Sequence, residues 1–304
     1  MRRIQSEIER VAQSSASVLI TGESGTGKEV VARQIHWLST RRSAPYIGIN
    51  CAAIPETLIE SEILGHERGA FTGAERRHEG CFEAARGGTL LLDEITEMKP
   101  ALQAKLLRVI EERRLRRIGG TTEIDLDVRV LAASNKDLLQ AVRDGKLRED
   151  LLYRLNVFMI RLPPLRERLE DIPLLVNQFV LHYAALNNKL VAGIDDECLE
   201  VLQNHSWPGN VRQLRNVIER ALIVCNRQLI GKNDLPEEFQ RTQEPPESGY
   251  IKIKVGTSLD QIEREAIFQT IRSTGGNRAR AAQVLGVSAR TLYNKLQRYA
   301  SEET

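Results

Sequence analysis

The sequence predicts an α/β layered fold followed by two smaller helical units. Three observations carry that prediction. Short apolar runs recur between segments of helical spacing, a glycine loop sits between the first run and a helix, and beyond a Pro-Pro pair only helical periodicity remains.

Residues 17–21, Ser-Val-Leu-Ile-Thr, form an apolar run that stops at Gly22, while Val30, Val31, Ile35 and Leu38 after Gly27 have helical spacing. Strand, loop and helix is the reading. Residues 46–49, 89–92 and 128–133 read as buried strands of a parallel sheet, with 157–162 as a fifth. Residues 101–112 place Leu102, Leu106, Val109 and Ile110 on one helical face. Pro163-Pro164 closes the layered domain, because no helix runs through two prolines. Helices at 172–186, 196–202 and 211–224 then form a small α-helical lid, with Trp207-Pro208-Gly209-Asn210 as the turn before the last; Pro-Gly-Asn is a good helix start. Residues 240–256 are polar, aperiodic and proline-bearing, as an exposed linker would be. The domains are therefore 1–164, 165–239 and 257–304, joined by that linker.

A chain of 304 residues can bury two or three cores. Its 41% hydrophobic and 28% charged content is ordinary for a soluble protein, and it contains no apolar run of about 18 residues. With no secretory signal at the N-terminus, a cytoplasmic protein with no membrane partner is expected. Cys51, Cys81, Cys198 and Cys225 lack disulfide or metal-ligand spacing and read as buried thiols. The net charge of +2 hides an asymmetry: residues 272–298 include six basic residues and no acidic one, which points to an anionic partner.

Gly22-Glu23-Ser24-Gly25-Thr26-Gly27-Lys28 fits a phosphate-binding loop, in which backbone N–H groups converge on phosphate oxygens and Lys28 adds a compact positive charge. The helix after it contributes its N-terminal dipole. Glu29 stands where most such loops carry a Ser or Thr for magnesium. Downstream, Leu90-Leu91-Leu92-Asp93-Glu94 ends a buried strand in two carboxylates that face opposite ways. Asp93 is expected to help hold Mg2+ and Glu94 to polarise the attacking water, the division of labour that ATP hydrolysis needs.

At the C-terminus, residues 258–272 form an amphipathic helix, Asn277 starts a second, Gly286-Val287 breaks it, and Ser288 caps a third carrying Leu292 and Leu296. That spacing fits a helix-turn-helix. Arg290, Thr291 and Asn294 are the base-edge candidates, and Arg278, Arg280, Lys295 and Arg298 the phosphate-pairing ones; with Ser288 they make up the DNA-binding set. A helical dimerisation bundle with a solvated basic face is the alternative.

Between the phosphate loop and the acidic strand lies Gly69-Ala70-Phe71-Thr72-Gly73-Ala74, whose glycines free the backbone on both sides of a Phe-Thr tip. Such a tip could lift Phe71 off the domain surface. Together with the preceding Glu62-Ile63-Leu64-Gly65-His66-Glu67-Arg68, it resembles the central domain of bacterial enhancer-binding proteins, the activators of sigma-54 RNA polymerase. Glu29 is characteristic of that family. Residues 276–292 in turn resemble the Fis-type domain that ends its members.

The resemblance implies a AAA+ P-loop ATPase of NtrC-like type, with ATP and Mg2+ as cofactors and residues 69–74 contacting sigma-54. Asn50 looks like the residue that holds Glu94 away from water, Asn135 like the γ-phosphate sensor, and Arg212 like the lid residue that senses nucleotide. Arg148 and Arg154, read as lying on different faces of one helix, resemble arginines that reach into a neighbour's ATP site. Leu147 departs from the family's usual Phe before the first of them. Fingers donated between subunits imply a ring, by family expectation a hexamer, and the Fis-type helix implies dimerisation on paired half-sites of double-stranded DNA. The ATPase domain begins almost at Met1, leaving no room for an N-terminal receiver domain, so control by a separate trans-acting protein, or a truncated chain, is expected.

The reading is thus a sigma-54-dependent transcriptional activator. One alternative is a DNA-binding repressor or regulator that keeps the ATPase fold only for oligomerisation, against which the intact Lys28, Asp93 and Glu94 argue. Another is an unfoldase of the same broad class, but those carry neither this hexapeptide nor a terminal helix-turn-helix.

Overall fold

Strands β1 (Val18–Thr21), β2 (Tyr46–Asn50), β3 (Thr89–Asp93), β6 (Arg129–Ser134) and β7 (Phe158–Arg161) form a parallel sheet in the order β2-β3-β6-β1-β7. The central strands β3, β6 and β1 run apolar without alternation because both faces are covered, whereas the edge strands β2 and β7, also expected to be buried, leave Gly48, Asn50, Met159 and Arg161 exposed. Leu19, Leu90, Leu92, Val130 and Ala132 enter one core, whereas Val18, Ile20, Leu91, Leu131 and Ala133 enter the other. The computed structural model describes residues 2–240, 256–274 and 277–301. They form two compact units, one ending at Gln240 and one C-terminal to it.

The first unit opens with α1 (Arg2–Ala12), which packs against α2 (Lys28–Trp37) and contributes Ile8 and Val11 to the second core. Buried Arg129 fixes α1 in place by donating to the carbonyls of Val11, Ala12 and Ala16 near its end. After β2 come α3 (Ile59–Leu64) and α4 (Cys81–Ala84); after β3 come α5 (Pro100–Glu112) and an antiparallel hairpin of β4 (Arg114–Arg116) and β5 (Glu123–Asp125). Helices α6 (Leu138–Arg143) and α7 (Glu149–Leu155) lie between β6 and β7. The hairpin was not anticipated, because its strands are short and mostly charged.

The lid consists of α8 (Ile172–Leu186), α9 (Asp196–Gln203), α10 (Asn210–Val224) and α11 (Glu237–Gln240) around a core that includes Trp207. It also carries a parallel pair of two-residue strands, β8 (Gly193–Ile194) and β9 (Leu229–Ile230), so it is not purely helical. Trp207 is fully buried and donates its indole N–H to the Leu202 carbonyl.

The second unit is a three-helix assembly of α12 (Leu259–Ser273), α13 (Arg278–Val284) and α14 (Ala289–Ser301). Its core includes Ile267, Ala281, Ala282, Leu292 and Tyr299. Asn277 caps α13 by accepting from Arg280 N, Gly286 takes φ 68°, and Ser288 Oγ accepts from Thr291 N to start α14. Residues 241–255, nearly all of the expected linker, lie outside the described residues.

Candidate functional site

Strand order brings together residues from distant parts of the chain. β1 lies beside β6, and β6 beside β3, so the loop after β1 and the ends of β3 and β6 meet at one edge of the sheet. Gly22 N donates to Ser134 O, which ties the loop to the end of β6. The loop itself needs glycine: Gly22, Gly25 and Gly27 have φ of 156°, 79° and 103°, and Gly27 N-caps α2. Lys28, buried at 7% exposure, points Nζ back to the carbonyls of Gly22 (2.9 Å) and Glu23 (3.4 Å).

Glu94 stands 3.7 Å from Lys28 Nζ through Oε1 and accepts from Asn135 N through Oε2 at 3.1 Å. It leaves the strand in a left-handed conformation, φ 54°, while Asp93 Oδ1 accepts from the Glu94 amide. That backbone reversal, beyond simple strand alternation, separates the two carboxylates. Among the described residues no three His, Cys, Asp or Glu side chains cluster as a metal site. A magnesium ion here would therefore draw most of its ligands from phosphate oxygens and water, with Asp93 as the protein carboxylate at the strand end; a lone carboxylate fits that pattern.

Two residues are placed otherwise than the sequence suggests. Asn50 does not bond Glu94: it pairs in register with Asp93, and its side-chain oxygen accepts from Ala52 N in an Asx turn. Arg148 does not share a helix with Arg154: it is the extended residue before α7, forked onto Asp150 at 3.0 and 2.7 Å. An N-cap position with ψ 135° cannot belong to the helix it precedes. Arg154 lies within α7 and donates to Ile110 O at 3.5 Å. Glu29 is exposed and bonds Arg33 one helical turn on, away from the loop.

The lid reaches the loop through several side chains. Arg212 Nη1 donates to Ser24 Oγ (3.1 Å) and Arg212 N to Gly25 O (3.3 Å). A cavity of about 370 Å³ beside them is lined by Ser24, Arg212, Asn216, Arg220 and Glu238 among others. Asn210 is fully buried with φ 51°, and its side chain does not cap α10 as a Pro-Gly-Asn helix start suggests. Instead its oxygen accepts from Leu165 N (2.7 Å), and its amide donates to Glu23 Oε2 and Ser24 O (both 3.1 Å). Arg166 forks onto Glu23 at 2.9 and 2.6 Å, and buried Arg168 donates to Thr26 O at 2.9 Å. The Arg166 and Asn210 hydrogen bonds hold the Glu23 carboxyl at about 2, well below the usual carboxylate range. Sequence reading missed Asn210, Arg166 and Arg168.

Residues 69–74 form a closed turn, with Gly69 N donating to Ala74 O and Ala74 N to Phe71 O. Thr72 is exposed, but Phe71 is not lifted clear: it meets the His66 ring edge-on at 4.9 Å and stays 40% exposed. The loop is fixed from below. Arg117, just past β4, donates Nε and Nη2 to Glu83 (2.7 and 2.5 Å) and Nη1 to Glu67 (2.5 Å). Gly119 lies so close to Ala70 that a Cβ there would meet the Ala70 Cβ at 2.8 Å.

In the second unit, Arg278, Arg280, Ser288, Arg290, Thr291 and Asn294 are exposed. Thr291 shares its hydroxyl with Ser288 at 2.7 Å, inside the α14 cap. Lys295 is engaged by Glu263 at 2.6 Å and Arg298 by Asp260. Two cations of the acid-free stretch thus find their counter-charges on α12. As phosphate contacts those two must exchange partners, whereas Arg278, Arg280 and Arg290 stay exposed on α13 and the start of α14.

All four cysteines are free thiols, and burial pushes Cys51 and Cys198 up to about 12. Among the described residues no helix is long and apolar enough to cross a membrane.

Residues 1–161 match the sigma-54 interaction domain, 166–250 the AAA+ ATPase lid domain, and 258–299 the bacterial regulatory protein, Fis family. The chain is 47% identical to the regulatory protein AtoC of Escherichia coli, over 98% of this chain and 66% of that one. It is 48% identical to the transcriptional regulatory protein FlbD of Caulobacter vibrioides, over 99% and 69%. It therefore spans about two thirds of the length of these relatives. Among solved structures, NtrX from Brucella abortus in complex with ATP matches with a TM-score of 0.71 at 35% identity, over 98% of this chain and 67% of that one.

Proposed function

The chain belongs to the family of sigma-54-dependent transcriptional activators, and from that premise we propose that it is an ATPase that binds DNA upstream of promoters, assembles into a ring and remodels sigma-54 RNA polymerase through residues 69–74. The observation that carries this reading is the meeting of Lys28, Glu94 and Asn135 from three separate strand ends. Hydrolysis requires that grouping, and a bare oligomerisation platform does not.

When bound, ATP with magnesium supplies the phosphoryl group to be transferred and the charge that neutralises it. The loop amides and Lys28 would hold phosphate, Asp93 would hold the metal, and Glu94 would orient water. Lys28 gives up its carbonyl partners to do so. Asn135 reads the γ-phosphate from the sheet edge, and Arg212 senses nucleotide from the lid. Arg148 and Arg154, both exposed, reach the neighbouring subunit's site in a hexameric ring. Asn50 engages Glu94 only in another state of the cycle, once its turn with Ala52 opens.

Movement at the site is passed to Phe71 and Thr72, with Asn50 and Glu94 as the local switch, while the Glu83–Arg117–Glu67 network holds the loop in place. Arg278, Arg280, Arg290 and Asn294, with the second unit's remaining candidates, address double-stranded DNA. Thr72→Ala tests the reading: ATP hydrolysis and DNA binding persist while promoter opening in a purified transcription assay is lost. Parallel loss of hydrolysis would make the loop structural. Absence of hydrolysis by the assembled wild type would favour the oligomerisation platform.

A further inference from the structure

We infer that Glu23, within the phosphate-binding loop, latches the lid over the nucleotide site, with Arg166 as its obligatory partner. The inference deepens the ATP-site reading and rests on it. The loop pattern requires glycines and Lys28 but no particular side chain at position 23, so the carboxylate calls for another explanation. In a loop built to receive a polyanion, a negative charge opposes the ligand unless it is neutralised.

Arg166 neutralises it in the strongest available geometry, two parallel N–H···O bonds of 2.9 and 2.6 Å. The same carboxylate also accepts from Asn210 Nδ2 at 3.1 Å. Asn210 is fully buried, and its remaining polar contacts go to Ser24 O and Leu165 N, so it spans from the loop to the chain entering the lid. Arg168 adds a contact to Thr26 O. Lid and loop meet with no slack: a Cβ on Gly25 would lie 2.4 Å from Gly209 O and 3.1 Å from the Arg212 Cβ. Glu23 therefore sets where Arg212 stands relative to the loop. It is a positioning residue, acting on nucleotide through Arg212.

Arg166→Ala has two consequences, a carboxylate without its cation in the phosphate-binding loop and a loosened lid. Removing the charge as well, in Glu23→Gln/Arg166→Ala, cancels the first. The test is titration of the full chain with a fluorescent ATP analogue, together with its dissociation rate and the nucleotide-free melting temperature of each variant. Arg166→Ala is expected to weaken binding about tenfold, within the usual range for coupling inside one site. Most of that change should appear in faster dissociation. The double variant should recover part of the loss, and Arg166→Lys, which keeps the charge without the fork, should fall between wild type and Arg166→Ala.

Binding by Arg166→Ala within about twofold of wild type overturns the latch alone, as does a double variant that binds more weakly than Arg166→Ala. A wild type that binds no analogue overturns the ATP-site reading and the latch with it. A purely structural role would lower the melting temperature without rescue of binding in the double variant.

Discussion

Two glycine-flanked loops in the first unit, residues 22–27 and 69–74, use the same residue type under opposite constraints. In the first, Gly25 has φ 79° and also lies against the lid, 2.4 Å from a backbone carbonyl by the position its Cβ would take. In the second, Gly69 and Gly73 have φ 81° and 101°, yet a Cβ on either would meet nothing within 4 Å. One loop is enclosed from above by the lid; the other is held from below by Arg117 and Gly119 and is open at its tip. Glycine in the first serves conformation and close approach together, and in the second conformation alone. A loop that grips a ligand and a loop that is offered to a partner need that difference.

The sharpest way to break the comparison is to add one methyl group to each loop. Gly25→Ala is expected to abolish nucleotide binding, measured by titration, because neither the Gly209 carbonyl nor the loop backbone can give way. Next in size, Arg117→Ala leaves Glu83 and Glu67 without their shared cation. It should cost the first unit about 3 kcal/mol in denaturant unfolding, as when one partner of a buried pair is removed. Gly73→Ala should cost only the left-handed strain, about 1–2 kcal/mol, and leave hydrolysis within about twofold of wild type.

The smallest effect concerns acid. Glu23 has a folded-state value of about 2 against an ordinary 4.5, so its contribution to stability is fully present above 4.5 and is lost as pH falls toward 2. Over that window Arg166→Ala should show a shallower decline in melting temperature than wild type. An equal slope would mean that the fork does not hold the carboxyl down.

Much of the first loop was legible in the chain. The glycine spacing, the strand before it and the helix after it are local properties, as are the apolar runs whose alternating residues fill two cores. Ser288 and Asn277 were likewise readable as caps, because a cap acts within three residues of itself. Asn210 was not: its carboxylate partner lies 187 residues away, and Pro-Gly-Asn taken locally says only helix start. Arg117 was missed for the same reason, standing 34 and 50 residues from its acids in a short charged hairpin. The expected exposure of Phe71 was only half met, since no local rule brings the His66 ring under it. Lys295 and Arg298 looked uncompensated only because their partners are on α12, outside the acid-free stretch.

By itself, then, the sequence determined the strand-loop-helix unit, the acidic strand end, the three helices of the second unit and the family these motifs resemble. Each depends on backbone conformation and periodicity within a few residues. The tertiary structure alone decided that Glu94 faces Lys28 and Asn135 and that Glu23 belongs as much to the lid as to the loop. Those relations are set by strand order and by side chains meeting across long loops, and neither is encoded in spacing along the chain.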